Sequence, residues 1–204
     1  MTREERPTKG EQTREMIIRQ SAAVFNQFGF FGTSISDIMR ETGLEKGGIY
    51  NHFPEGKEQL ALAAFDYSRD HTSRKLEEAF KQVRHAADRL VMFARILESR
   101  FDDPELPGGC VILNTAVEAD DAHPVLREKA RQAMDDLYAM VLRILTKGIE
   151  RGEIKAEVDR EAAATILIST VEGAMMLSKL YGDVRYLSTA RQHVEQYVER
   201  ELRA

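Results

Sequence analysis

The sequence has little of what secreted or membrane proteins need. It contains one cysteine, Cys110, so no intrachain disulfide can form, which fits a reducing compartment. No run of about 18 consecutive apolar residues occurs, and residues 1–12 are polar and charged, without the apolar core of a secretory signal peptide. The sequence therefore predicts a soluble, cytoplasmic protein without a membrane segment.

Prolines are few, with five in the chain, and stretches of alternating apolar residues are absent. Apolar residues instead recur every three or four positions, which is typical of amphipathic helices. With 204 residues, of which 43% are hydrophobic, the chain can bury a sizeable core. These features predict an all-α fold.

Positive charge is not in excess. The net charge of -5 argues against a protein that coats nucleic acid through bulk electrostatics. Residues 1–57, however, contain equal numbers of basic and acidic residues, so the negative charge lies in the remainder of the chain. Any contact with DNA must therefore be local and made by the N-terminal segment.

Motifs of several enzyme classes are also missing. The sequence has no Glu-x-x-His of a di-metal bundle, no His-Glu-x-x-His, no Gly-Lys-Ser/Thr phosphate loop and no Gly-x-Ser-x-Gly. Asp120, Asp121 and His123 could ligate a metal, but beside Pro124 they are more typical of a loop that caps a helix. We therefore predict a protein that is not an enzyme and uses no metal or cofactor.

Three helices are predicted in the N-terminal part, over about residues 13–28, 34–43 and 46–53. Ser34 and Asp37 have capping-box spacing at the start of the second helix, and Gly43 ends it. Two short helices separated by a glycine-containing turn form a helix-turn-helix. We assign this unit to residues 1–56.

A larger helical domain is predicted for residues 57–204, and the helix that starts at Lys57 joins the two domains. Residues 159–181 are apolar on nearly every side and precede an amphipathic terminal helix. This pattern predicts a homodimer through the last two helices, residues 159–182 and 184–203, as an intermolecular four-helix bundle. Alternatively, both helices only close the core of the monomer.

The third predicted helix has the features of a DNA-reading helix, since a helix fits the width of the major groove. Ile49 and Phe53 lie four residues apart and would face inward. Four hydrogen-bonding side chains would then lie outside: Lys46, Tyr50, Asn51 and His52. The adjacent Gly47 and Gly48 cost roughly 1 kcal/mol each relative to alanine, and a close approach of the backbone to DNA would explain that cost.

Two positions outside this helix would add phosphate contacts. Thr33 lies at the start of the second helix and offers a hydroxyl beside a helix N-terminus, and Lys57 offers a charge at the start of the fourth. Taken singly, each of these residues could be an ordinary surface residue.

The segments 33–38, 43–44, 46–53 and 57–60 closely resemble the DNA-binding signature of the tetracycline-repressor-like (TetR) family, over about residues 12–65. The resemblance implies a dimer, usually a repressor, that binds a near-palindromic operator and leaves it when a small molecule occupies the C-terminal domain. It also implies DNA contacts from Thr33, Lys46, Tyr50, His52 and Lys57. The full predicted set is Thr33, Ser34, Lys46, Gly47, Gly48, Tyr50, Asn51, His52 and Lys57.

The sequence departs from the family pattern at three positions. Glu45 stands where relatives often have a serine or threonine that caps the recognition helix, Gly48 stands where many have a hydroxyl residue, and Gly56 lengthens the turn before Lys57. The operator sequence of relatives therefore does not transfer to this chain.

For the C-terminal domain the resemblance implies only a pocket within the helical bundle. The predicted ligand-binding residues are Phe93, Leu97, Phe101, Cys110, Asn114, Tyr138, Glu172, Met175 and Met176. Methionines suit an adaptable apolar cavity, although apolar stripes at helical spacing usually form plain core. Glu172 lies in the most apolar helix and needs a partner or a bound cation. A structural salt bridge or a polar dimer contact is the alternative.

Cys110 follows two glycines at the start of a predicted helix, an arrangement that lowers the thiol pKa if the sulfur is exposed. With Asn114 and Glu118 it resembles a segment in one branch of the family, some of whose members sense electrophiles or oxidants through cysteine. Free cysteine is, however, among the most buried residue types. A small buried side chain is thus the preferred interpretation.

A helical interaction protein that keeps the three-helix head but binds a protein is the alternative to a DNA-binding regulator. The two differ in salt dependence, because binding through several phosphates weakens steeply with salt and pairing through an apolar groove does not.

Overall fold

The computed structural model describes residues 7–204, so residues 1–6 of the predicted N-terminal domain lie outside the described part. Residues 7–204 form nine α-helices and a terminal π-helical turn. The helices are α1 (Lys9–Gly32), α2 (Ile35–Thr42), α3 (Lys46–Tyr50), α4 (Lys57–Lys81), α5 (Ala86–Ser99), α6 (Val111–Ala119), α7 (Pro124–Glu150), α8 (Arg160–Tyr181) and α9 (Arg185–Tyr197), followed by the turn Val198–Leu202. The all-α prediction is confirmed.

Helix α1 begins earlier than the predicted Thr13, because Thr8 forms a capping box. The Thr8 hydroxyl accepts a hydrogen bond from the backbone N–H of Glu11, and the Glu11 carboxylate accepts one from the Thr8 N–H at 2.7 Å. The helix breaks at Gly29, as predicted, where φ is 77°. After this break, residues 30–32 complete α1 as one further turn before α2 begins.

The capping box predicted for α2 is confirmed. The Asp37 carboxylate accepts a hydrogen bond from the Ser34 N–H at 2.9 Å, and Gly43 ends the helix in the left-handed conformation. The hydrogen bonds to Ser34, with Arg40 beside the carboxylate, lower the pKa of Asp37 to about 2. Helix α3 ends at Tyr50 rather than at the predicted Phe53. Beyond Tyr50 the chain continues as a turn, in which the N–H groups of His52 and Phe53 both donate to the Ile49 carbonyl oxygen at 3.0 Å.

Helices α1 to α4 share a small core. Its buried side chains are Ile17, Ile38, Ile49, Phe53 and Leu60, with Phe25 packed against them. Ile49 and Phe53 thus face inward as predicted. Because Leu60 lies on α4, the N-terminal unit depends on the first turn of that helix as well as on α1 to α3.

Helix α4 is continuous and belongs to both parts of the molecule. Leu60 lies in the N-terminal core, whereas Leu76 lies in the larger core formed with α5, α7, α8 and α9. The domain boundary at residues 56 and 57 stays a prediction, since α4 contributes to each core.

Helix α8 is long and apolar and lies against α7 and α9. By length and composition it could cross a membrane, but 50% of its most apolar 18-residue stretch is buried inside the protein. One face remains uncovered and carries Ile166, Met176 and Leu180.

The stripe of apolar residues on α9 does not contribute to this uncovered face. Leu187, Ala190, Val194 and Val198 are buried in the core of the monomer, because α9 turns its apolar side toward α5 and α8. The apolar stripe of α9 thus closes the core of the monomer, and the homodimer through the last two helices stays a prediction.

We expect the Phe53→Ala substitution to lower the free energy of unfolding of the N-terminal unit by about 3–5 kcal/mol, because Phe53 is 0% exposed and fills the small core. Phe28, which is 64% exposed, is the matched control. Its replacement by alanine should change stability by about 0.5 kcal/mol or less. Urea unfolding followed by circular dichroism measures both, and equal effects would contradict the assigned core.

Candidate nucleic-acid interface and effector cavity

The outer side of α3 carries the polar residues that the sequence placed there. Lys46, Tyr50 and Asn51 are exposed and His52 is half-buried. The Lys46 ammonium lies 5.6 Å from the centre of the Tyr50 ring, a cation–π distance. Lys46 and Tyr50 thus lie together on α3, Asn51 and His52 follow its end, and Ile49 packs into the core.

The fold does not require the two glycines of α3. Neither has a positive φ. A Cβ at Gly47 would meet no atom of residues 7–204 within 4 Å, and at Gly48 it would make only ordinary contacts with Leu44, at 3.6 Å and beyond. An alanine would thus fit at both positions and would favour the helix. The structure of residues 7–204 therefore gives no steric reason for either glycine.

Helix α3 also lacks a stabilised start. Glu45 is its N-cap residue, and its side chain makes no capping hydrogen bond within the described chain. This agrees with the sequence-based observation that Glu45 replaces a capping hydroxyl.

Thr33, Ser34 and Lys57 are engaged within the protein. The Thr33 side chain is buried and its hydroxyl donates to the Gly29 carbonyl oxygen at 2.6 Å. The Ser34 hydroxyl donates to Asp37 Oδ2 at 2.6 Å. Each hydroxyl has one proton, so the predicted phosphate contact from the Thr33 hydroxyl is not compatible with this arrangement.

Lys57 holds the corner between α1 and α2. Its ammonium donates to the carbonyl oxygens of Phe30 at 2.9 Å and Thr33 at 3.1 Å, and lies 4.1 Å from the centre of the Phe30 ring. An ammonium has three protons, so one remains for a phosphate. The primary role of Lys57 in this structure is nevertheless to order the start of α2.

A cavity of about 450 Å³ lies between α4, α5, α7 and α8 and the start of α6. Four of the predicted ligand-binding residues line it: Leu97, Cys110, Glu172 and Met175. Its remaining apolar wall includes Leu76 and Phe80 of α4 and Leu137 and Met140 of α7. The volume is within the range of small-molecule sites in proteins.

Five other predicted ligand residues lie elsewhere: Phe93, Phe101, Asn114, Tyr138 and Met176. Phe93 is fully buried in the core and Phe101 packs against that core. The Tyr138 hydroxyl donates to the Glu161 carbonyl oxygen at 3.0 Å, joining α7 to α8. Met176 is 53% exposed on the uncovered face of α8. Met175 lines the cavity, whereas its neighbour Met176 points away from it.

The Cys110 thiol does not have the reactive environment that its position suggested. The thiol is beside Glu172, and burial together with this carboxylate raises the pKa of Cys110 well above its ordinary value. A thiol that stays protonated is a poor nucleophile. The raised pKa of Cys110 thus does not favour the electrophile-sensor interpretation. The side chain is half-buried in the wall of the cavity, less buried than the preferred interpretation expects.

Glu172 is buried and its Oε2 has no hydrogen-bond partner among residues 7–204. Burial raises the pKa of this carboxyl, and the Cys110 thiol beside it acts in the opposite direction. The alternative salt bridge is absent among residues 7–204, and Glu172 lies on the cavity side of α8 rather than on its uncovered face.

Arg100 is a polar residue of the cavity wall that the sequence analysis missed. It is 2% exposed, its Nη1 donates to Asp103, and its Nη2 has no hydrogen-bond partner in the described part of the chain. The signal was present in the sequence, since Arg100 follows Phe93 and Leu97 by seven and three residues and so lies on the inward side of α5.

Asp103 connects the end of α5 to α4. Its Oδ2 accepts hydrogen bonds from His71 Nε2 at 3.0 Å and Lys75 Nζ at 2.6 Å as well as from Arg100. Burial by itself would raise the pKa of Asp103, but the hydrogen bonds from Lys75, the Glu105 N–H and His71, together with the charge of Arg100, lower it far below its ordinary range. The ionised carboxylate thus ties the cavity wall to the helix shared by both domains.

Helix α6 connects the cavity to the N-terminal unit. Its first residues, Val111 and Ile112, line the cavity. Toward its end, Glu118 accepts hydrogen bonds from the N–H groups of Phe30 at 2.7 Å and Phe31 at 2.8 Å. Gly29 is required here for two reasons, since its φ is positive and a Cβ would lie 2.5 Å from a Glu118 oxygen.

Asn114 strengthens the same junction. Its Nδ2 donates to Asn26 Oδ1 at 2.8 Å and to the Gly108 carbonyl oxygen at 2.8 Å, and Asn26 Nδ2 donates to the carbonyl oxygens of Pro107 and Gly109. Asn114 is therefore a connecting residue between α6 and α1, not part of the cavity wall.

Three similarities to known proteins bear on this arrangement. A TetR transcriptional regulator from Chloroflexus aurantiacus is 44% identical, with a TM-score of 0.90 over 96% of this chain and 98% of that chain. The transcriptional regulator LmrA of Bacillus subtilis is 28% identical over 81% of this chain and 86% of its own length. A cysteine mutant of the TetR-family regulator CifR, solved with a 26-bp double-strand operator DNA, is 18% identical and shares the fold, with a TM-score of 0.81 over 94% of this chain and 98% of that chain.

Family models match both parts of the chain. Residues 17–64 match the model of bacterial regulatory proteins of the tetR family, and residues 86–194 match the tetracyclin repressor-like C-terminal domain. The chain belongs to the TetR family and is a DNA-binding transcriptional regulator with an N-terminal helix-turn-helix and a C-terminal helical domain.

Proposed function

We propose that this regulator binds a near-palindromic operator as a homodimer and represses transcription until a small molecule enters the cavity and releases it. The observation that carries the proposal is the path through α6. The start of this helix lines the cavity, and Glu118 and Asn114 bond its later turns to the end of α1. A change in the cavity that moves α6 therefore moves the corner on which α2 and α3 are mounted.

For operator recognition we infer a division of roles on α3. Asn51 has the donor and acceptor pair that recognises adenine in the major groove, and Lys46 suits guanine or phosphate. Tyr50 and His52 are placed for backbone phosphates. The exposed Gly47 and half-buried Gly48 let the helix backbone approach the DNA closely. CifR, a fold neighbour, has been solved with its operator, which supports the same mode of binding here.

The uncovered face of α8 supports a homodimer. Ile166, Met176 and Leu180 are exposed on it, and a Cβ at Gly173 would meet open space among the described residues. A small residue between large apolar ones permits close helix packing, and two copies of one face suit a two-fold interface. The exposed side of α9 would supply the polar edge. Since the proposed partner is chromosomal DNA, we assign the protein to the bacterial cytoplasm.

Selection of bound genomic fragments by the purified protein tests operator recognition. We expect enrichment of an inverted repeat and a steep loss of affinity with salt. The Lys46→Ala variant should bind the selected repeat about tenfold or more weakly, with a salt slope reduced by about one unit if the contact is to phosphate. Lys81→Ala, which removes an exposed lysine of the C-terminal domain, is the matched control and should bind normally.

The protein is first unfolded and refolded, so that any co-purified ligand is removed. If no repeat is then enriched at any salt concentration, the proposal is overturned. Capture of a protein by the same surface, with little salt dependence, would instead indicate the interaction-protein alternative.

The Gly47→Ala substitution should separate stability from DNA binding. We expect the free energy of unfolding to rise by up to about 1 kcal/mol, because alanine fits without contact and favours the helix. Operator affinity should fall, because the added methyl group keeps the backbone from the DNA. Thermal unfolding and fluorescence polarisation measure the two effects, and unchanged affinity would contradict the inferred close approach.

The Met176→Glu substitution should convert the dimer to a monomer, because it places a charge in the centre of the proposed apolar interface. Val117→Glu, at an exposed apolar position on α6, is the matched control and should remain dimeric. Sedimentation equilibrium determines both masses. A dimeric Met176→Glu protein would show that the interface lies elsewhere.

A further inference from the structure

The cavity contains two polar groups that the protein itself leaves unsatisfied. Arg100 Nη2 and Glu172 Oε2 are buried, belong to side chains at least nine-tenths buried, and have no hydrogen-bond partner within residues 7–204. Both side chains line the cavity, one from the end of α5 and one from the middle of α8. Leaving a buried polar group without a partner is unfavourable, so a ligand that satisfies both groups would gain binding free energy from them.

Most of the surrounding wall is apolar. Much of it is formed by six apolar side chains: Leu76, Phe80, Leu97, Leu137, Met140 and Met175. Charged residues such as Arg69, Asp70 and Asp136 also line the cavity, but they are half-buried or exposed and can be solvated. The buried groups without a partner that residues 7–204 offer a ligand here are therefore a guanidinium donor and a carboxyl acceptor, in a wall that is otherwise largely apolar.

The two groups favour different parts of a ligand. Arginine stays charged in proteins, so Arg100 repels cations and binds a carboxylate better than a neutral acceptor, because charge-assisted hydrogen bonds are about twice as strong. Glu172 Oε2 can accept from a hydroxyl or amide N–H. Its environment does not favour a full negative charge, since burial raises the pKa of this carboxyl.

We propose that the effector is a mainly apolar monocarboxylic acid whose carboxylate binds Arg100 Nη2 and whose hydroxyl or amide N–H binds Glu172 Oε2. This inference rests on the proposed function, in which the cavity holds the effector. It also adds a second path to the DNA-binding unit, because Arg100 is joined through Asp103 to His71 and Lys75 of α4. A carboxylate at Arg100 Nη2 adds a second anionic partner to the guanidinium that Asp103 holds through Nη1, and so acts on the helix shared by both domains.

Four compounds with one skeleton test the assignment on the full-length protein. They are 4′-hydroxybiphenyl-4-carboxylic acid, biphenyl-4-carboxylic acid, 4-hydroxybiphenyl and biphenyl. Isothermal titration calorimetry at neutral pH should show the hydroxy acid binding about tenfold more tightly than either compound with one polar group. Biphenyl should bind most weakly. Equal affinities for all four compounds, or no binding by any, would overturn the proposal.

Two substitutions assign each polar group to its residue. In Glu172→Leu the advantage of the hydroxyl should disappear while that of the carboxylate persists, and in Arg100→Met the reverse should hold. Glu150→Gln, at an exposed carboxylate at the end of α7, is the matched control and should bind as the unsubstituted protein does. If Arg100→Met fails to fold, Arg100→Lys, which keeps the charge but loses the Nη2 donor, takes its place, and the advantage of the carboxylate should shrink in it. A hydroxyl advantage that survives Glu172→Leu would refute the assignment to Glu172.

Operator release distinguishes this inference from the proposed function. Fluorescence polarisation of the selected operator should show release by the hydroxy acid at concentrations that saturate the cavity. Binding with the expected pattern but without release would support the recognition groups and overturn the effector function. Release by a compound whose binding does not depend on Arg100 or Glu172 would support the effector function and overturn the assignment of these two recognition groups.

Discussion

Two hydrogen bonds from the backbone of α1 to the Glu118 carboxylate fix how the DNA-binding unit is attached. The Phe30 and Phe31 N–H groups are free to donate because Gly29 leaves the helical conformation just before them. The same break lets the chain turn into α2, and Lys57 holds that turn by donating to the carbonyl oxygens beyond it. The orientation of the recognition helix therefore depends on a carboxylate supplied by the C-terminal domain.

Much of the N-terminal unit could be predicted because its signals are local. The Ser34–Asp37 capping box, the Gly43 stop and the inward pair Ile49 and Phe53 all depend on residues within a turn or two of each other. The engagement of Thr33 could not be predicted in this way. Its hydroxyl is used by the Gly29 carbonyl, an acceptor that becomes available only because of the break in α1.

The cavity could be predicted only in part, because periodicity shows which side of a helix faces inward but not whether that side meets core or empty space. Phe93 and Leu97 lie on the same side of α5, yet only Leu97 reaches the cavity. Arg100 was overlooked because a charged residue near a helix end ordinarily lies in solvent. Its burial depends on Asp103, a residue of the following loop whose position no local pattern specifies.

The composition of α3 has a consequence for its dynamics. Ile49 is its one buried residue within the described chain, two of its five residues are glycines and its start has no side-chain cap. Such a segment opens at a lower free energy than the core around it, so its amide hydrogens should exchange with solvent sooner than those of α1. Contact with DNA would then order the helix as it binds. The free energy of ordering α3 would then reduce the observed binding free energy. A DNA sequence that makes fewer contacts would not offset this cost and would bind weakly.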